Sequence, residues 1–86
     1  MKIDKVVMVT AAWCGPCKLM KPAMEQYTSD NAIPLTIVDV EEDTELVQKF
    51  SLSAVPTTLV YKNGEEWPEV IQGAFQPADH PVFTGE

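Results

Sequence analysis

Apolar residues change their spacing along the chain, and each change marks an element. Lys5-Val6-Val7-Met8-Val9-Thr10 is a β-branched run without alternation, the pattern of a strand covered on both faces and central in its sheet. From Leu19 onward Leu19, Met20, Ala23, Met24 and Tyr27 recur at helical spacing, with Lys18, Lys21, Glu25 and Gln26 on the other face. This predicts an amphipathic helix of about three or four turns whose apolar stripe packs on the core. Pro16 suits a first helical turn, where its missing N–H is no loss, whereas Pro22 falls inside and should kink the helix. Ser29-Asp30-Asn31 ends it, and Pro34 to Val40 reads as a second strand through Leu35, Ile37, Val38 and Val40.

Glu41-Glu42-Asp43 then forms an acidic turn at the start of a short helix, Thr44 to Phe50, where carboxylates complement the positive end of the helix dipole. Leu46, Val47 and Phe50 are expected to give that helix its buried face, and Glu45 precedes Lys49 in the favourable i,i+4 order. Thr57 to Tyr61 is a third strand. Asn63-Gly64 is a two-residue hairpin signal leading into a fourth, Glu66 to Ile71, which Pro68 confines to the sheet edge. Beyond Gly73, Pro77, Pro81 and Gly85 interrupt the chain too closely for a long helix, so residues 74–86 read as a mostly irregular tail with at most one helical turn. The order βαβ then αββ, without internal repeat, predicts a single α/β domain over residues 1–86.

Composition narrows the partners. With 6 Lys+Arg against 13 Asp+Glu the 86-residue chain carries a net charge of −7, so no basic stripe is available for nucleic acid or an anionic membrane surface. The longest apolar stretch, Val6 to Trp13, falls far short of the roughly 20 residues that span a bilayer. Lys2 and Lys5 ahead of a short apolar run with Ala11 and Ala12 imitate a signal peptide. Asp4 interrupts the basic region, however, and cleavage there would remove a strand the fold needs, so the mature protein is expected to begin at Met1. Cys14 and Cys17 are too close together to staple distant parts of a small secreted domain, which makes a cytoplasmic location the expectation.

The chemistry gathers at the turn between the first strand and first helix. In Trp13-Cys14-Gly15-Pro16-Cys17-Lys18 one thiol stands at the helix N-terminus and the second one turn further in, a spacing at which two sulfurs can close a small disulfide ring. Unpaired backbone N–H groups and the helix dipole favour the thiolate at the first position, which makes Cys14 the candidate nucleophile. Cys17, deeper, stays protonated until a mixed disulfide brings a target sulfur beside it. A zinc site normally takes four ligands, and the chain offers two cysteines and one histidine, His80, in the Pro-rich tail. A purely structural disulfide would remove little unfolded-state entropy from so small a loop. No metal is expected.

Ala12-Trp13-Cys14-Gly15-Pro16-Cys17-Lys18 resembles the active-site signature of thioredoxins, and the likeness covers about residues 5–75. Pro22 resembles the family's kinking proline, Val55-Pro56-Thr57 its cis-proline loop facing the active site, Lys62-Asn63-Gly64-Glu65 its hairpin, and Gly73-Ala74 its last substrate-contact loop. The resemblance implies a thioredoxin-like α/β sandwich with a four-stranded mixed sheet in the order 2-1-3-4, a minimal version without the family's first strand and helix and its long C-terminal helix. It implies a client groove formed by Trp13, Gly15, Pro16, Val55, Pro56, Gly73 and Ala74. Trp13 also offers a large apolar contact surface beside the thiol. The implied function is dithiol–disulfide exchange with client proteins through Cys14 and Cys17. No cofactor beyond that redox-active disulfide is implied, and an upstream reductase, an NADPH-dependent flavoprotein thioredoxin reductase, would restore the dithiol. The protein would act as a monomer, with homodimerisation through an uncovered sheet face as the rival.

Two departures stand out. Thioredoxins usually carry a buried acid six residues before the first cysteine, where this chain has Met8, and the lysine often paired with it appears as Ile37. Water or the departing Cys14 sulfur would then have to receive the Cys17 proton. The alternatives from other classes are a binding module using the groove without turnover, and a disulfide oxidase or isomerase of an oxidising compartment. The intact cysteines argue against the first, and Gly-Pro between them against the second.

Overall fold

The computed structural model describes residues 2–85. Strand β1 (Ile3–Thr10) leads into helix α1 (Gly15–Asp30), followed by β2 (Leu35–Asp39), α2 (Thr44–Lys49), β3 (Thr57–Lys62) and β4 (Glu69–Gln72). The sheet order is β2-β1-β3-β4. β1 pairs parallel with β2 and antiparallel with β3, and β4 closes the antiparallel edge. This is the mixed four-stranded sheet that the family resemblance implies, and the unalternated β1 run takes the central place its pattern predicts.

Cross-strand register sorts the side chains into faces. Val6 and Met8 stand opposite Leu35 and Ile37 on one side and Val60 and Thr58 on the other, so all six share the face that α1 covers. Val6, Met8 and Val60 form the core there with Met20 and Met24 of α1. The buried row of α1 is Cys17, Met20, Met24 and Thr28. Leu19, expected in that row, is 81% exposed: it lies one position, about 100° of helical turn, from Met20 and points off the core. Pro22 lies inside α1 as read.

The hairpin differs more. Asn63 and Gly64 both adopt positive φ, and the Glu65 N–H donates to the Lys62 carbonyl at 3.0 Å, so the two-residue turn forms. The ladder nevertheless resumes only at Glu69, opposite Val60, rather than at Glu66. Asn63 N–H bonds the Lys2 carbonyl at 2.8 Å and Gly64 N–H the Asp4 carboxylate at 2.7 Å, which ties the turn sideways to β1. Pro68 has no N–H to give a ladder. In α2, Asp43 caps the helix by accepting the Leu46 N–H at 3.0 Å. Lys49 lies over the Trp67 ring, 5.3 Å from its centroid, and that ring packs edge-on against Phe50.

The tail is more regular than its prolines suggest. Pro77–Asp79 forms a 3₁₀ turn and Pro81–Thr84 a single α-helical turn, α3, each with its proline in the first turn where no N–H is needed. Val82 and Phe83 are buried in the α1-side core, with Phe75 packed against them.

Met8 is fully buried among these apolar groups. Met8→Asp therefore places a carboxyl where burial raises its pKa, and the expected cost at pH 7 is about 2–4 kcal/mol. Because the folded pKa lies above the unfolded one, the charge-related part of that deficit is absent below about pH 4 and grows as pH rises to the folded pKa. Urea denaturation of both proteins across pH checks this, and an undiminished deficit at low pH would assign it to lost packing instead.

Candidate functional site

The end of β1 and the start of α1 form one continuous structural device. Cys14 is the N-cap of α1, with extended backbone, and Gly15 and Pro16 open the helix. The Cys17 N–H donates to Cys14 Sγ at 3.2 Å, which places a sulfur where a capping oxygen usually sits. Cys14 and Cys17 are joined as a disulfide, with Cα atoms 5.3 Å apart. In the dithiol, the same N–H and the helix dipole favour negative charge on Cys14 Sγ. In this oxidised state the cysteines are 4% and 3% exposed, so position in the helix, rather than depth, distinguishes them.

Loops from distant parts of the chain converge on this pair. The disulfide clusters with Ala11, and Val40 and Val55 pack against it. The Val55–Pro56 peptide is cis, and the Pro56 carbonyl accepts the Gly73 N–H at 2.8 Å, tying the two loops together. Trp13 stands 70% exposed, its indole Nε1–H donating to Glu41 at 3.3 Å. Grooves flank the motif on both sides: Trp13, Val40 and Val55 line one, and Pro16, Leu19, Ala74 and Phe75 the other. Of the residues singled out in the sequence outside the motif, Val55 packs against the disulfide cluster and Ala74 lines a groove with Pro16, while Pro56 and Gly73 adjoin them in the chain and are hydrogen-bonded to each other. Glu41, Val40 and Leu19 were missed as site residues. Glu41 reads in sequence as a helix-dipole partner, and nothing local ties it to an indole 28 residues away.

Known proteins resemble this chain in sequence and fold. The thioredoxin family model matches residues 1–80. The chain belongs to the thioredoxin family. Thioredoxin from Alicyclobacillus acidocaldarius is 34% identical over 80 residues, covering 88% of this chain and 74% of that one. Thioredoxin-1 from Saccharomyces cerevisiae is 39% identical over 71 residues, covering 79% and 69%. Among solved structures, Plasmodium falciparum thioredoxin superposes with a TM-score of 0.79 at 32% identity, covering 94% of this chain and 83% of that one. This family member is a thiol–disulfide oxidoreductase with protein-disulfide reductase activity, in keeping with its Cys14–Cys17 disulfide. Among the described residues no helix is long and apolar enough to cross a membrane.

Proposed function

We propose that Cys14 attacks client disulfides and Cys17 resolves the mixed disulfide, with clients held along Trp13, Gly15, Pro16, Val55, Pro56, Gly73 and Ala74. The observation that carries this reading is the hydrogen bond from the Cys17 N–H to Cys14 Sγ. It marks Cys14 as the sulfur whose anion the helix start stabilises. The extended client segment finds apolar walls in the two flanking grooves. The protein works as a cytoplasmic monomer in electron transfer to client proteins, needs no tightly bound cofactor, and is recharged by an NADPH-dependent flavoprotein reductase.

Direction of electron flow is tested by the redox potential, measured by equilibration with glutathione buffers. A value near thioredoxin's own reference of about −270 mV is expected and supports a reductant, whereas one near about −120 mV would assign the protein to disulfide formation. A dithiol that equilibrates yet never reduces a protein disulfide would leave a binding module.

A further inference from the structure

A 180 Å³ cavity opens beside Cys17 at the C-terminal ends of β1 and β2, lined by Thr10, Cys17, Lys18, Lys21 and Asp39 together with two alanines. Thr10 and Asp39 are register partners, one pleat beyond the Met8–Ile37 pair. Alternation along the strands therefore puts Met8, Thr10, Ile37 and Asp39 on the single face that α1 covers. The inner pair is apolar. The first ionisable side chain on this face of β1 and β2 toward the disulfide is Asp39, at the rim.

Resolution of a mixed disulfide requires Cys17 to lose its proton before it can attack. Lys18 and Lys21 face the cavity from α1 and favour an anion, but as ammonium groups they have no lone pair for the proton. Thr10 and the two alanines bring no ionisable group from the β1 side. Asp39 is the anionic acceptor in the lining. Its Oδ1 accepts the Glu41 N–H at 2.7 Å, which orients the carboxylate while leaving Oδ2 as a further acceptor. The cavity is several times the roughly 30 Å³ that one water occupies in the liquid, and water can bridge the two polar groups.

We propose that Asp39 receives the Cys17 proton through water in this cavity, acting as the proton-positioning residue of the resolving step. The proposal rests on the division of labour between Cys14 and Cys17 given above. The Cys17 proton passes through water to the Asp39 carboxylate, and the resulting thiolate attacks Cys14 Sγ. The bond between Cys14 Sγ and the client sulfur breaks, and the client leaves as a thiolate that is reprotonated from Asp39 through the same water. Together with the first attack, two electrons move from the dithiol to the client disulfide.

Asp39→Asn tests this, because Asn keeps the Oδ1 acceptor for the Glu41 N–H while removing the charge. Reduced protein is mixed with a small disulfide at concentrations that saturate the first step, then quenched with acid and alkylated, and mixed disulfide is followed by mass spectrometry. At pH 7 the unimolecular decay is expected to slow about tenfold, less than the roughly hundredfold or more of a directly bonded proton acceptor, because water intervenes. The gap should narrow as pH rises into the range where the thiol ionises unaided. Equal decay at every pH overturns the proposal, as does a slowing of the same size at every pH, which marks a structural role. A Cys17→Ser protein that accumulates no mixed disulfide overturns the underlying division of labour instead.

Discussion

Cys14→Ser is expected to bring reduction of a model protein disulfide down to the uncatalysed background, whereas Cys17→Ser attacks once and stops. The asymmetry follows from the helix start. Cys14 Sγ occupies the N-cap position and accepts the Cys17 N–H, so negative charge there is met by a hydrogen bond and by the dipole of a 16-residue helix. A serine hydroxyl in place of Cys14 does not ionise near neutrality and cannot donate an electron pair to a disulfide sulfur. Serine at Cys17 leaves the N–H donor in place, so the first thiolate survives and only its displacement fails. Mass spectrometry of each variant with a disulfide substrate under acid quench decides the matter: the Cys17→Ser protein should carry one covalently attached client half. An adduct on the Cys14→Ser protein alone would reverse the roles.

Much of this was legible because the chemistry is local in sequence. Cys14, Gly15, Pro16 and Cys17 stand together, and the same residues that cap and open the helix also set the sulfurs at bonding distance. The sheet order, by contrast, came from family likeness, since strand patterns alone do not choose among topologies. What escaped notice depended on separation or on ambiguity of apolar residues. Leu19 has the composition of a core residue and the position of a groove wall, and hydropathy does not separate these uses. The late start of β4 depends on hydrogen bonds from the hairpin turn to Lys2 and Asp4, some 60 residues away. The tail prolines marked helix starts as much as helix breaks, and only tertiary contact with α1 decided between them.

That contact sets the second large effect. Truncation after Gly73 is expected to cost about 4–6 kcal/mol, because it removes buried Val82 and Phe83 and half-buried Phe75 from one cluster, at about 1.5–3 kcal/mol for each fully buried side chain. A chain of this length has only about 4–13 kcal/mol to lose, so the truncation should remove a large share of its total stability. Urea denaturation followed by circular dichroism measures the loss. An unchanged midpoint would mean that the tail does not hold the core, and a midpoint that rises with protein concentration in the full chain would point to a second copy covering the sheet. Phe83→Ala separates packing from simple removal of the segment. Phe83 sits edge-on to Tyr27 with ring centroids 5.3 Å apart and stacks at 6.0 Å on Phe75, so its loss should cost about 3–4 kcal/mol while leaving the backbone of the tail in place. The two variants should also part company in activity. Truncation deletes Ala74 and Phe75, one wall of the groove beside Pro16, whereas Phe83→Ala leaves that wall standing. Under conditions where both remain folded, client reduction should therefore fall further in the truncated protein than its stability alone predicts.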